Sequence, residues 1–192
     1  LTYTFKGISK DISTALDCGA LDWNSLDMGL REFVSNAIDA GGYKVEIVSS
    51  IEPAKDTTRI YLPFRPEVAK FFAALPEKFL HFAKEYNPSL SVLKKEENSP
   101  AKFYRKGVFI RQSNLVSMFD YNFGDETKID ESRNMEESTV RSHAADIWRN
   151  ASQETLTLLF SRISEIDEKV FEGCFYYWGA TRSTWKATWQ SL

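Results

Sequence analysis

Cysteine is nearly absent: Cys18 and Cys174 are the two in 192 residues, far apart and outside any Cys-x-x-Cys or His-rich spacing. That excludes a disulfide framework and a thiolate zinc site, and both thiols are expected to be buried and idle. Glycine is sparse too, with nine scattered residues and no Gly-x-Gly. No apolar run approaches the ~20 residues of a membrane helix, and the N-terminus lacks a signal peptide's charged-then-apolar layout. An excess of one charge is also missing: 24 Lys plus Arg face 27 Asp plus Glu, a net charge of −3. Non-specific nucleic-acid binding through an overall basic field is therefore not indicated. What is present, 43% hydrophobic and 27% charged residues, is the mixture of a folded protein. The expectation is one soluble, intracellular (cytoplasmic) domain with a full core, or one domain with an appendage. Because the chain begins at Leu1 without an initiator Met, it is also expected to be part of a longer product.

Periodicity divides the chain further. Tyr3 to Ile8 reads as a first strand and Ser13 to Leu21 as a loop or short helix. From Asn24 to Ala40, Leu26, Leu30, Phe33, Val34, Ala37 and Ile38 recur at three- and four-residue steps. They predict one apolar arc on a helix capped by Ser25 or Asn24 and ended by Gly41-Gly42. Tyr43 to Ser49 and Thr58 to Phe64, rich in β-branched and aromatic residues, predict neighbouring strands. Val68 to Tyr86 fits one or two helices broken near Pro76, and the polar stretch Lys94 to Lys102 reads as an internal linker. Strands are expected at Phe103 to Gln112 and Leu115 to Tyr121, a charged loop at Asn122 to Asn134, and helices at Glu136 to Arg149 and Ser152 to Ile163. An aromatic-rich tail ends in Trp185 and Trp189.

The chemically informative stretch is Leu30 to Ala40. With Glu32 at the origin of a helical wheel, Asn36 falls near about 40° and Asp39 near about −20°, at 3.6 residues per turn. Carboxylate, amide and carboxylate thus share one stripe opposite the apolar arc, and Gly29 on the same side leaves space beside the backbone. Such a stripe suits magnesium-nucleotide hydrolysis. Mg²⁺ prefers oxygen and keeps several waters, so one amide carbonyl plus phosphate oxygens suffices, and a Glu one turn away can deprotonate the attacking water. The same residues also suit a plain solvated helix face.

LREFVSNAIDAG resembles the N-box of the GHKL superfamily, the Bergerat fold of gyrase B subunits, heat-shock chaperones of the ninety-kilodalton class, mismatch-repair ATPases and histidine kinases. The pattern Glu-x-x-x-Asn-Ala-x-Asp-Ala is met by Glu32, Asn36, Ala37, Asp39 and Ala40 over about a dozen residues. The resemblance implies an ATP-binding protein, an ATPase with Mg²⁺ and ATP as cofactors. Glu32 would be the catalytic base, Asn36 the metal ligand, and Asn36, Asp39 and Ala40 would line the nucleotide site. Nucleotide-driven lid closure and a protein partner or homodimer are implied as well. Phe103 to Ile110 with Phe119 to Asn122 looks like the region beyond the nucleotide fold in GHKL proteins of phages and bacteria.

The family's second signature, Asp-x-Gly-x-Gly, and its glycine-rich lid are missing, and almost no chain separates Ala40 from Tyr43, where relatives place both. A minimal protein, a deletion, or a sequence joining the ordered parts of a longer chain would each account for this. We adopt the last, because lids are often ordered only by nucleotide. A non-catalytic binding or scaffold protein that has lost the glycine motifs is the alternative.

The fold expected is α+β: a Bergerat-type sandwich, a mixed sheet with helices on one face, followed by a smaller helical portion. Its parts are a nucleotide-binding core over 1–93, missing its lid near 40–42, a strand-rich extension over 94–134 and a helical, aromatic-rich portion over 135–192. Lys102, Arg105 and Lys106 read as solvated strand-edge cations or as ligands of the γ-phosphate. Asp120, Asp125, Glu126, Asp130 and Glu131 lack EF-hand spacing and read as a solvated loop. His81 and His143 lack a partner nucleophile in motif spacing, and Tyr176, Tyr177, Trp178, Trp185 and Trp189 read as core or a protein interface.

Overall fold

The computed structural model describes residues 2–5, 8–11, 25–42, 44–51, 59–124, 135–167, 169–175 and 183–192. Cys18, the segment from Ser13 to Leu21, most of the charged loop before Met135, and Tyr176 to Trp178 lie outside them. The chain is mixed α and β, with six α-helices among the described residues, and divides into two compact units, Leu1–Phe71 and Phe72–Leu192.

In the first unit, β1 (Thr2–Phe5) and β2 (Ile8–Asp11) pair antiparallel from Thr2↔Asp11 to Phe5↔Ile8. The single strand expected at Tyr3 to Ile8 is thus the first arm of a hairpin and the start of its second. Helix α1 (Leu26–Asp39) lies where the apolar period placed it. The strands expected at Tyr43 to Ser49 and Thr58 to Phe64 are absent: 44–48 and 59–65 carry no regular secondary structure. Strand preference expresses a fit to a pleated, half-buried surface, and no described strand pairs with either segment. Ile47 accordingly stands 82% exposed and Phe64 71%. Helix α2 (Pro66–Ala73), whose last two residues belong to the second unit, begins at Pro66, where a missing N–H costs nothing.

The second unit is built around two long strands. Short helix α3 (Leu75–Lys78) carries Pro76 in its first turn, so the proline expected to break the helical run lies at the start of a new one, and a 3₁₀ turn follows at Leu80–Phe82. Strand β3 (Val92–Arg105) and strand β4 (Val108–Phe123) meet in more than one register. A tight turn at Lys106-Gly107 folds Val108 back onto Arg105 and Gln112 onto Lys102, an antiparallel hairpin. Farther on, the same chain returns along the other edge of β3, pairing Phe103↔Tyr121, Tyr104↔Asn122 and Arg105↔Phe123 in parallel sense. Val92 to Lys94 close on Tyr121 to Phe119 from the far side. The end of β4 is thus central, and Ser117 to Phe119 and Tyr121 to Phe123 are all buried.

Two expectations are corrected here. Phe103 to Gln112 is not one strand but two arms about a turn, and Lys94 to Lys102 is not a linker but part of β3. Polarity in that stretch misleads because Lys95 folds its ammonium inward, 2.7 Å from the Ser99 carbonyl and 3.3 Å from an Asp120 carboxylate oxygen. Pro100 sits where the pairing shifts register, the place in a sheet that tolerates a missing donor.

Helices α4 (Glu137–Arg149) and α5 (Gln153–Phe160) match the periodic reading, α5 capped by the Ser152 hydroxyl, which accepts from the Thr155 N–H at 3.2 Å. Helix α6 (Ser183–Ser191) packs beside α5, and Trp185 Nε1 donates to the Trp148 carbonyl at 3.1 Å. The core joins Phe103, Phe119, Tyr121, Val140, Trp148, Leu156 and Phe171, all at most 1% exposed.

Candidate functional site

Helix α1 is defined at both ends by its own sequence. The Ser25 hydroxyl accepts from the Met28 N–H at 3.3 Å, one of the donors a helix start leaves unpaired. At the other end Gly41 turns left-handed (φ 82°), its N–H donates to the Ile38 carbonyl at 2.9 Å, and the Gly42 N–H reaches the Ala37 carbonyl at 3.2 Å. These are the paired bonds of a Schellman stop, which favours glycine at the left-handed position. The segment bearing the nine-residue pattern is therefore helical from Glu32 through Asp39, with Ala40 as its C-cap.

The buried positions of α1 are Leu30, Val34 and Ser35, while Phe33 is 47% exposed and Leu26 51%. The inward face is thus rotated away from the apolar arc that periodicity predicted and takes in a serine in place of a phenylalanine. Glu32 is half-buried; Asn36, Asp39 and Ala40 are exposed. Gly29 is half-buried with open space around it: a Cβ built there meets nothing within 4 Å. The three oxygen-bearing side chains share one stripe of one helix, as the spacing required. Among the described residues no group of three or more His, Cys, Asp or Glu is placed to hold a metal by protein ligands alone.

The other residues singled out by sequence lie in the second unit. Lys102 Nζ is 3.8 Å from a Glu77 carboxylate oxygen. Lys106 and Gly107 form the tip of the β3–β4 hairpin, with φ of 51° and 75°. Asp120 is no part of an open acidic loop: it lies on β4, pairs with Lys95 and accepts from the Lys102 N–H at 2.8 Å. Asp125, Glu126, Asp130 and Glu131 lie outside the described residues. His81 packs on the Tyr86 ring at 4.7 Å and His143 on Phe123 at 5.7 Å. Cys174 is a half-buried thiol that donates to the Val170 carbonyl at 3.7 Å.

Sequence reasoning missed a buried polar cluster. Glu172, 0% exposed, accepts from the Ser117 hydroxyl at 2.5 Å, the Tyr121 hydroxyl at 2.7 Å and the Met118 N–H at 3.2 Å. Trp148 Nε1 donates to the Tyr121 oxygen at 3.1 Å. Burial holds the Lys95 ammonium below its ordinary range, opposed by the Asp120 carboxylate and, more weakly, by the Glu172 charge. A carboxylate with its oxygens engaged and no exposed surface anchors its 3₁₀ turn (Phe171–Cys174) to β4; it is not open to substrate. No local signal could have found it, because the donors to Glu172 come from a strand far away in sequence and Glu-Gly after an aromatic reads as a surface turn.

Among the described residues no helix is long and apolar enough to cross a membrane. No protein-family model, curated protein or solved structure matches the chain.

Proposed function

We propose that the chain is a GHKL-type ATP-binding protein of Bergerat type that hydrolyses Mg-ATP slowly and uses nucleotide-dependent lid closure to control a partner contact or dimerisation. The observation that carries this reading is the pattern Glu32, Asn36, Ala37, Asp39, Ala40 on a single helix with a defined start and stop. The donor set fits Mg²⁺ carried on a triphosphate: a reachable Asn36 amide oxygen, with phosphate oxygens and water completing a hard-cation shell. When bound, the metal neutralises phosphate charge. Glu32, one turn from Asn36 and half-withdrawn from solvent, orients the attacking water and takes its proton. Asp39 and Ala40 contact the nucleotide at the end of the helix.

The test is nucleotide binding followed by turnover. Mg-ATP at about 100 times its Kd should raise stability by about 2.7 kcal/mol, a shift readily seen in thermal unfolding. Glu32→Ala should keep that shift and lose phosphate release, whereas Asn36→Ala should lose the Mg²⁺-dependent part of binding. Wild-type turnover in Glu32→Ala would falsify the assignment. A second reading, a Bergerat-type scaffold without catalysis, draws on the exposure of Asn36 and Asp39 and on the missing Asp-x-Gly-x-Gly. It requires that ATP leave the unfolding temperature unchanged.

A further inference from the structure

Shortly after α1, Lys44 to Ile47 alternates charged and apolar residues, and Lys44 Nζ and Glu46 Oε1 are joined at 2.7 Å. Contact between side chains two residues apart is the spacing of an extended chain, so Lys44 and Glu46 share one face and Val45 and Ile47 the other. Val45 is 45% exposed, Ile47 82% and Val48 53%, and no described strand or bridge pairs with this stretch. An exposed β-branched run with unpaired edges is a template for another strand.

Charge selects which strand. When a second copy is laid antiparallel with Val45 opposite its own equivalent, Lys44 faces Glu46 of the other copy twice, and the valines meet on the apolar face. Moving the centre to Glu46 sets two carboxylates face to face, moving it to Lys44 sets two ammonium groups face to face, and moving it to Ile47 sets Glu46 against Val48, a charge against an apolar side chain. A shift by a single residue sets apolar side chains against charged ones, because facing residues then come from opposite sides of the pleat. We infer that Lys44 to Glu46 form a self-complementary edge through which two copies of this chain pair antiparallel about Val45. The pairing needs no nucleotide, so it stands or falls separately from the ATPase reading. Its short edge places it among weak interfaces.

Sedimentation of the full chain without nucleotide, from about 10 µM to about 1 mM, the range of a weak interface, tests this. Wild type should pass from monomer to dimer. Glu46→Lys, which puts ammonium against ammonium at both crossings, should raise the dissociation constant about tenfold or more. The exchange Lys44→Glu with Glu46→Lys in one chain should restore pairing. An equimolar mixture of Lys44→Glu and Glu46→Lys should form heterodimers although each alone stays monomeric. These side chains are exposed, so circular dichroism should be unchanged in every variant. A monomer at the highest concentration, or a dimer indifferent to Glu46→Lys, overturns the inference.

Discussion

The two units treat apolar side chains differently. Along α1 the buried positions are Leu30, Val34 and Ser35, and Leu26, Phe33, Ile47, Ile51 and Phe64 around it in sequence are all at least 47% exposed. In the second unit Phe103, Met118, Tyr121, Trp148 and Phe171 are fully enclosed, and Glu172 ties a late 3₁₀ turn to β4 through three donors. Both regions contain helices that periodicity locates, so helix formation is not what separates them. The difference is closure: β4 is covered along both edges and by α4, while no described strand pairs with 44–48 or 59–65. The sequence-predicted site residues Glu32, Asn36 and Asp39 belong to the less covered unit.

The sharpest way to break the comparison is to delete one aromatic from each unit. Trp148→Ala removes a fully buried indole and a hydrogen bond to Tyr121, and should cost about 3–5 kcal/mol. Phe33→Ala, on a half-exposed side chain and with a gain in helix propensity, should change stability by less than about 1 kcal/mol. Urea unfolding followed by far-ultraviolet circular dichroism measures both. Similar costs would show that the first unit hides its apolar surface in a way its exposure does not express.

A pair of glycines gives opposite signs at smaller size. A methyl group at Gly107 would lie 2.7 Å from His81 Cε1 and 2.8 Å from the Tyr86 hydroxyl, on a backbone with φ of 75°. The Gly107 N–H also donates to Asn122 at 2.8 Å, so the turn cannot shift freely, and Gly107→Ala should destabilise by about 2 kcal/mol or more. Gly29→Ala inside α1 meets nothing and should stabilise by up to about 1 kcal/mol. If a triphosphate approaches the helix at Gly29, the same variant should bind Mg-ATP more weakly while melting higher. Calorimetric titration beside thermal unfolding separates the two effects.

These contrasts mark what was legible in the sequence. Helices α1, α4 and α5 were readable because their signals are local: a period, a Ser25 or Ser152 cap, and a glycine stop. The strand assignments failed where the outcome depends on a partner. Lys44 to Val48 has strand composition and no described neighbour, and Lys94 to Lys102 has loop composition yet lies in β3 because Asp120 and two carbonyls receive the Lys95 charge. The stripe of Glu32, Asn36 and Asp39 was legible as geometry, but which side of α1 turns inward depends on contacts beyond the helix, and Ser35 took a place that composition assigned to Phe33. The Glu172 cluster was illegible because Ser117, Met118 and Tyr121 reach it from the other end of the unit.

The smallest expected effect is electrostatic and lies wholly within the second unit. Two hydrogen bonds from Arg162, at 2.8 and 2.7 Å, and one from Asn98 at 3.1 Å hold the Glu165 carboxyl at about 2, down from its ordinary 4.5, with the Arg162 charge adding to them. A depressed folded value means that the unfolded chain binds the proton more readily. The stabilisation is therefore complete above the ordinary value and is lost as pH falls from about 4.5 toward about 2. The group is exposed to solvent, so screening keeps the contribution small and salt should shrink it. Urea midpoints of wild type and Glu165→Gln at about pH 6 and about pH 3 test the sign, since the variant has no carboxyl to protonate and should lose less on acidification. Equal losses would mean that the Asn98–Arg162–Glu165 bridge between β3 and the turn at Ile163–Glu165 adds nothing to the closure that distinguishes this unit.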